Sequence, residues 1–157
     1  MNKFDYMKDI FYQTVENQCY GHQKQKAYFH SLQVTSICQL LSFIYNIDLE
    51  LISIIGLFHD YSKYIQHTSF DHASRSADLT KQILIDSHLF NNEEIDLIYT
   101  AIKNHSDKQH IHDLYSEIIK DSDVVAQYLE EPEIIFDLYS QQRLEKYKQF
   151  YNYEAKK

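Results

Sequence analysis

The 157-residue sequence has few of the residues that make tight turns, with only two glycines and one proline. Glycine supplies backbone conformations with positive φ, and proline fixes φ in turns, so the short connections of β-sheets depend on both. A sheet-rich fold of this length would normally need more of them. We therefore predict an all-α, compact helical bundle, and the length predicts a single domain over residues 1–157.

Cysteine is scarce as well. Cys19 and Cys38 are too few for a disulfide framework, and both fall in helical patterns, so we expect reduced, packed thiols in a cytoplasmic protein. The longest strongly apolar run, from Leu51 to Phe58, is far shorter than a membrane span. The N-terminal segment mixes charges of both signs and lacks the apolar core of a signal peptide.

Positive charge is in deficit, since 15 Lys and Arg stand against 23 Asp and Glu, for a net charge of −8. No basic run is long enough to follow a phosphate backbone, which argues against duplex nucleic acid and anionic membranes as partners. A small phosphorylated metabolite or nucleotide is compatible with this charge, because a bound divalent metal would reverse its sign locally. The protein is expected to be a monomer or a homodimer.

Apolar residues recur at helical spacing and predict about six or seven helices. Their approximate bounds are 3–18, 24–45, 48–59 with Asp48 as N-cap, one starting near 72, one from 93 to 105, 111–129, and a C-terminal helix over 132–151 with Pro132 in its first turn. We expect residues 61–71 to form a loop and residues 152–157 to fray. In the second helix, the inward stripe is predicted to comprise Phe29, Leu32, Ile37, Leu40, Leu41 and Ile44.

Several His and Asp residues fall on the apolar sides of these helices. An isolated ionised carboxylate in such a place costs too much free energy unless it is paired, protonated or bound to metal. Each residue alone is more typical of a hydrogen-bonded core group. Together, on four helices, they favour a site for a divalent transition metal: His30, His59, Asp60, His105 and Asp123.

The order of these residues resembles the signature of the HD-domain superfamily of metal-dependent phosphohydrolases, which has a His, an adjacent His-Asp pair and a distant Asp. The resemblance covers most of residues 25–130 and implies a compact bundle of helices. The matching segments are YFHSLQV at His30, GLFHDYSKY at His59-Asp60, DHASRSA at His72, AIKNHSDK at His105 and IIKDSDVVAQY at Asp123.

The resemblance also implies a ligand set. His30, His59, Asp60 and Asp123 would be the core ligands of one or two divalent transition metal ions (Mn, Fe, Co, Ni or Zn). His72 and His105 match positions that subfamilies use for a second metal or for the substrate, although His72 could equally be an exposed residue at a helix start.

The resemblance assigns substrate contacts less firmly. Asp60 would orient the attacking water, and Lys63 matches a lysine that related hydrolases direct at the substrate phosphate; a solvated loop lysine is an equally good interpretation. Arg75 and Lys108 are weaker anion-binding candidates, more typical of surface charges. Ser122 and Val124-Val125 depart from the family pattern around the last Asp, which leaves the substrate contacts open.

Helical spacing separates the two acidic residues in KDSD. Asp121 and Asp123 lie about 200° apart around a helix, so we expect only Asp123 to face the site, with Asp121 at the surface or behind the ligands. The remaining histidines are predicted to lie at the surface, although His110 or His112 could reach the pocket. These are His22, His67, His88, His110 and His112.

These patterns predict hydrolysis of a phosphate ester or phosphoanhydride, on a nucleotide or a similar small metabolite. One alternative is a mixed-valence di-iron oxygenase of the same fold, which would use a similar ligand set. Another is a non-catalytic module that binds a nucleotide. The sequence does not distinguish these alternatives.

Overall fold

The computed structural model describes residues 2–151, with side chains described up to residue 149. No strand occurs within that range, so the all-α prediction is confirmed. The predicted frayed tail, 152–157, lies outside the described residues. The described residues form eight helices: α1 (Lys3–Gln18), α2 (Gly21–Tyr45), α3 (Leu49–Phe58), α4 (Tyr61–Ile65), α5 (His72–Ser87), α6 (Asn92–Asn104), α7 (Leu114–Glu130) and α8 (Leu138–Tyr151).

Polar side chains fix the starts of several helices. Asp48 accepts a hydrogen bond from the backbone N–H of Leu51, which confirms its prediction as the N-cap of α3. Asn91 caps α6 in a capping box with Glu94. Such caps pair N–H groups that the helix leaves free, and each contributes about 1 kcal/mol of stability.

Two regions differ from the prediction by more than a few residues. The segment after Asp60 is not entirely loop, because buried Tyr61 and Tyr64 lie three residues apart and pack as one turn of α4. The last helix begins at Leu138 and not at Pro132. Pro132 lies in a turn, whereas Asp137 caps α8 by accepting hydrogen bonds from the first backbone N–H groups of that helix.

The buried face of α2 is also not the predicted one, except that Leu41 is buried and Ile37 half-buried. Phe29, Leu40 and Ile44 are 62%, 62% and 65% exposed. Small and polar side chains face the core instead, because α2 and α3 approach closely. The buried side chains of α2 are those of Ala27, His30, Ser31, Val34, Thr35, Cys38, Leu41 and Ser42.

Helix α3 lies at the centre of the bundle, with every residue from Leu51 to Phe58 buried. It contacts α1, α2, α5, α6 and α7. Its C-terminal end therefore lies inside the protein, and polar residues there meet side chains from the surrounding helices. None of the described helices is both long enough and apolar enough to cross a membrane.

The α2–α3 contact leads to a first prediction. A Cβ on Gly56 would lie 2.9 Å from the Cα of Thr35, so Gly56→Ala must push α2 outward. We expect the free energy of unfolding to fall by about 1–2 kcal/mol, because so close a contact with a backbone atom places the overpacking cost in the upper part of its range of about 1–3 kcal/mol, and the helix propensity of alanine offsets about 1 kcal/mol. Urea unfolding measures the change. Gly56→Ser should be less stable still, and wild-type stability of Gly56→Ala would contradict the close approach.

Candidate metal centre

Six side chains from five helices or their ends converge at the C-terminal end of α3. Five of them are buried, and the side chain of His72 is 23% exposed. Within three overlapping groups, the potential ligand atoms lie within 4.8 Å of one another. The groups are His30 with His59 and Asp60, His59 with His105 and Asp123, and Asp60 with His72 and His105.

Asp60 connects two pairs of histidines through its two carboxylate oxygens. Its Oδ1 lies 3.3 Å from Nε2 of His72 and 3.4 Å from Nε2 of His105. Its Oδ2 lies 3.7 Å from Nε2 of His59 and 3.9 Å from Nε2 of His30. The donor atoms therefore form two halves that share one carboxylate, an arrangement that suits one ion or two.

Asp123 belongs to the His30–His59 half. Its Oδ1 lies 3.2 Å from Nε2 of His30 and 3.7 Å from Nε2 of His59. Lys108 donates to Oδ2 at 2.7 Å, and the Gln127 amide donates to Oδ1 at 2.8 Å. These two contacts fix the rotation of the carboxylate and leave Oδ1 facing the imidazoles.

Backbone contacts fix the tautomer of three of the histidines. In His59, His72 and His105, Nδ1 lies 2.8, 3.1 and 2.7 Å from the carbonyl oxygen three residues earlier. A carbonyl oxygen can only accept, so Nδ1 carries the hydrogen and the neutral ring presents the Nε2 lone pair to the cluster. Metal-binding histidines are commonly held in this way.

His30 is held by a side chain that the sequence analysis missed. Its Nδ1 lies 2.6 Å from Oε1 of Glu130, in the last turn of α7. Glu130 and Gln127 follow Asp123 by seven and four residues, and such residues share a helix face. Helical spacing from Asp123 would have identified both of them.

These residues fit a bound cation. Nε2 of His30 lies 3.3 Å from Nε2 of His59, and the same distance separates Nε2 of His72 from Nε2 of His105. When each Nδ1 carries the hydrogen, two lone pairs face each other in each pair, which is unfavourable unless a cation or an additional proton lies between them. Imidazole nitrogens mixed with carboxylate oxygens suit divalent transition metals.

The two carboxylates carry negative charge into the protein interior. Burial acts to raise the pKa of Asp60, but the neighbouring His59 and His105 hold it well below its usual range. Burial likewise opposes ionisation of Asp123, and Lys108 nevertheless keeps the pKa of that carboxyl well below its usual range. The site is thus built around two ionised carboxylates that need positive charge nearby.

Two of the histidines, His105 and His30, have pKa values shifted in opposite directions. Burial lowers the pKa of His105 to about 4, although Asp60 opposes the shift, so this ring is neutral at pH 7, as metal binding requires. Burial also acts to lower the pKa of His30, but hydrogen bonds to Asp123 and Glu130 raise it to about 9. A proton on His30 supplies positive charge to the carboxylates, and a metal ion would replace it.

Lys63 and Lys108 both contact the metal centre but differ in access to substrate. A cavity of about 700 Å³ is lined by both His30 and Lys63. Lys63 donates to Oδ2 of Asp60 at 2.9 Å with its side chain 32% exposed. Lys108 does not line this cavity; its side chain is 13% exposed and bonds to Asp123. Lys108 is therefore not the predicted surface charge, because it is folded inward to neutralise Asp123.

The other candidates lie apart from the cluster. Arg75 donates to the carbonyl of Phe70 at 3.4 Å and does not line the cavity. His110 and His112 do not reach the cluster: His110 pairs with Asp107, and His112 contacts Lys120. His22 is exposed but lines the cavity.

Asp121 faces away from the cluster, as helical spacing predicted, but of the two positions expected for it, at the surface or behind the ligands, the surface position is wrong. It is 4% exposed because α8 covers this side of α7. Arg143 donates to its Oδ1 at 2.8 Å, and Lys146 and Tyr147 donate to its Oδ2 at 3.0 and 2.8 Å. Asp121 therefore holds α8 against α7.

Comparison with known proteins agrees with this description of the fold. The family model described as "HD domain" matches residues 27–128. The crystal structure of a predicted HD superfamily hydrolase from an uncultured Thermotogales bacterium is similar to this chain, with a TM-score of 0.65 and 18% identity. The similarity covers 99% of this chain and 96% of that one. No curated protein sequence matches the chain.

The two acidic residues of α7 lead to a second prediction. Asp123→Ala is expected to abolish metal binding, because the His30–His59 half loses its second carboxylate. Asp121→Ala is expected to keep the metal but to lose about 1–3 kcal/mol of stability, because buried Arg143 loses a partner. Elemental analysis and urea unfolding measure the two effects separately. Metal loss confined to Asp121→Ala would contradict the assignment.

Proposed function

Since the chain belongs to the HD-domain family, we propose that it is a metal-dependent phosphohydrolase acting on a small phosphorylated substrate, such as a nucleotide. The observation that carries this proposal is the position of Lys63. Its ammonium group contacts Asp60, at the centre of the His/Asp cluster, and also lines the cavity. A phosphoryl group in the cavity would thus meet the lysine and the metal centre together.

The proposed chemistry needs a nucleophile at neutral pH. A divalent metal held by these His and Asp residues would supply a water whose pKa is about 7, which is acidic enough to act as the nucleophile. Asp60 contacts the His72–His105 pair through Oδ1 and the His30–His59 pair through Oδ2. Asp123, fixed by Lys108 and Gln127, presents one oxygen to the His30–His59 half. We propose that the two halves of the cluster would hold two ions.

Lys63 would stabilise the charge of the phosphoryl group. Burial acts to lower its pKa, but Asp60 and Asp123 raise it above the ordinary lysine value, so the side chain is an ammonium at neutral pH. An ammonium has three N–H donors. One is on Asp60, which leaves donors for phosphoryl oxygens, where negative charge is concentrated during transfer.

The remaining walls of the cavity suit an organic group attached to the phosphate. Small-molecule sites in proteins occupy about 300–1,000 Å³ and combine apolar walls with a few polar groups. Phe29 and Ile134 provide apolar surface, while His22, Gln25 and Lys26 provide polar groups. The exposed ring of Phe29 would stack against a planar base, which is the reason for preferring a nucleotide.

The cysteines and the net charge bear on the location and the partners of the protein. Both cysteines are free and buried, which favours a reducing compartment, and we propose the cytoplasm. The charge of −8 argues against duplex nucleic acid and anionic membranes as partners, whereas a small phosphorylated partner is compatible with it because a bound divalent metal would reverse the charge locally.

Reconstitution of metal-free protein with Mn, Fe, Co, Ni or Zn tests the proposal. Each form would be assayed for phosphate release from nucleoside mono-, di- and triphosphates and sugar phosphates. Oxygen uptake by the iron form, with polyols or phosphonates, would indicate the di-iron oxygenase instead. Tight nucleotide binding without turnover in every metal form would indicate a binding module.

A third prediction concerns Lys63. Lys63→Ala is expected to lower the turnover of a phosphorylated substrate about 100-fold, because one charge-stabilising donor is lost, while metal content stays unchanged. Lys63→Arg should restore part of the activity, since the charge is kept. Lys103→Ala, which removes an exposed lysine on α6, is the matched control and should behave as wild type. Unchanged kinetics of Lys63→Ala would contradict the proposed contact between Lys63 and the phosphoryl group.

A further inference from the structure

The outward side of α2 carries an apolar surface on the face opposite the core. We call it the α2 face and define it by seven residues, which all lie within about 60° of Ser36 around the helix. Its apolar members are well exposed: Phe29 62%, Leu32 37%, Leu40 62% and Phe43 75%. The face comprises Phe29, Leu32, Gln33, Ser36, Gln39, Leu40 and Phe43.

The α2 face has no charged side chain. No Asp, Glu, Lys or Arg occurs between Ala27 and Ile47, although charged residues make up 24% of the chain. The outer face of a helix in a monomeric protein is normally charged or polar, whereas the centres of protein interfaces are depleted of charge. Because each chain carries a net charge of −8, an uncharged face is also where two copies repel each other least.

The sequence of the α2 face reads the same in both directions from Ser36. Three residues away on either side is a glutamine, Gln33 and Gln39. Four residues away is a leucine, Leu32 and Leu40. Seven residues away is a phenylalanine, Phe29 and Phe43. A twofold dimer of antiparallel helices requires this kind of self-complementary surface, because residue i must contact residue j while residue j contacts residue i.

We propose that two copies of this chain associate through the α2 face, with the two α2 helices antiparallel and Ser36 on the twofold axis. In this arrangement Leu32 contacts Leu40 of the second copy, and Phe29 contacts its Phe43. Gln33 lies beside Gln39 of the second copy, whose Nε2 donates to Ser53 on α3 at 3.0 Å and whose Oε1 can accept from the Gln33 amide. Ser36 at the crossing is small enough for the helices to approach closely.

The exposed area agrees with an interface of ordinary size. Two phenylalanines exposed to this extent present on the order of 250 Å² between them. Leu32, Leu40 and the adjacent Ile44, which is 65% exposed, extend the apolar surface. A standard interface buries about 800 Å² per partner, a little over half of it apolar, and apolar patches of a few hundred Å² commonly mark interaction sites.

The dimer would also affect the cavity over the metal centre. Phe29 lines that cavity as well as the α2 face, so the second copy would hold one wall of the cavity in place. The dimer does not depend on the proposed activity, because it follows from the surface of α2 alone.

Light scattering on a size-exclusion column tests the dimer. The 157-residue chain is expected at about twice its mass of 18.9 kDa. Leu40→Glu should reduce the mass to that of one chain, because it places two like charges in the interface. Ile135→Glu, at a site 95% exposed outside the α2 face, is the matched control and should remain dimeric.

A compensating pair of substitutions excludes misfolding as the cause. Leu32→Lys alone should be monomeric, whereas Leu32→Lys combined with Leu40→Glu should restore the dimer, because opposite charges then face each other twice. A wild-type protein that stays at the mass of one chain at all concentrations overturns the proposal and means that another partner, or none, covers the face.

Cysteine cross-linking tests the antiparallel register. Ser36→Cys should form an intermolecular disulfide under mild oxidation, because the two copies of residue 36 meet on the axis. Phe29→Cys should not, since its two copies lie about 21 Å apart along the helices. Cys19 and Cys38 are buried and give little background. Efficient cross-linking of Phe29→Cys, or none of Ser36→Cys, would overturn the antiparallel arrangement.

Discussion

The close packing of α2 against α3 determines where the metal centre forms. The absence of a side chain at Gly56 lets the backbone of Thr35 approach to a distance that leaves no room for a methyl group. This contact brings His30, in the middle of α2, beside His59, at the end of α3. The same glycine contributes the carbonyl oxygen that accepts from Nδ1 of His59. Gly56 thus positions α2 against α3 and also fixes the orientation of the His59 ring.

A second constraint comes from the charge that this packing encloses. Asp60 and Asp123 are buried as ionised groups, and each has a lysine: Lys63 on Asp60 and Lys108 on Asp123. The two lysines are placed differently, since only Lys63 reaches the cavity. One ammonium group therefore completes the metal centre from within the protein, and the other is available to a ligand.

The two faces of α2 differ in composition because only one of them packs against α3. Because the inward face must fit closely against α3, it carries small and polar residues, and the large apolar residues of this helix lie outward. A helix with this distribution would be poorly soluble if its outer face met only water. The proposed dimer gives those residues a partner while leaving His30 directed at the metal centre.

The sequence alone determined the helical class, most helix boundaries and the set of His and Asp residues, because each depends on local spacing, on turn-forming residues or on an ordered motif. The tertiary structure decided which face of α2 is buried, since periodicity in a helix that is apolar on several sides does not indicate the direction of the core. It also decided the positions of Asp121, Lys108 and Glu130. Asp121 is buried because α8 covers it, Lys108 folds inward to pair with Asp123, and Glu130 meets a histidine 100 residues away in sequence. Helical spacing places Glu130 on the face of Asp123, but the partner of each of these three residues lies on another part of the chain, so only folding reveals the contacts themselves.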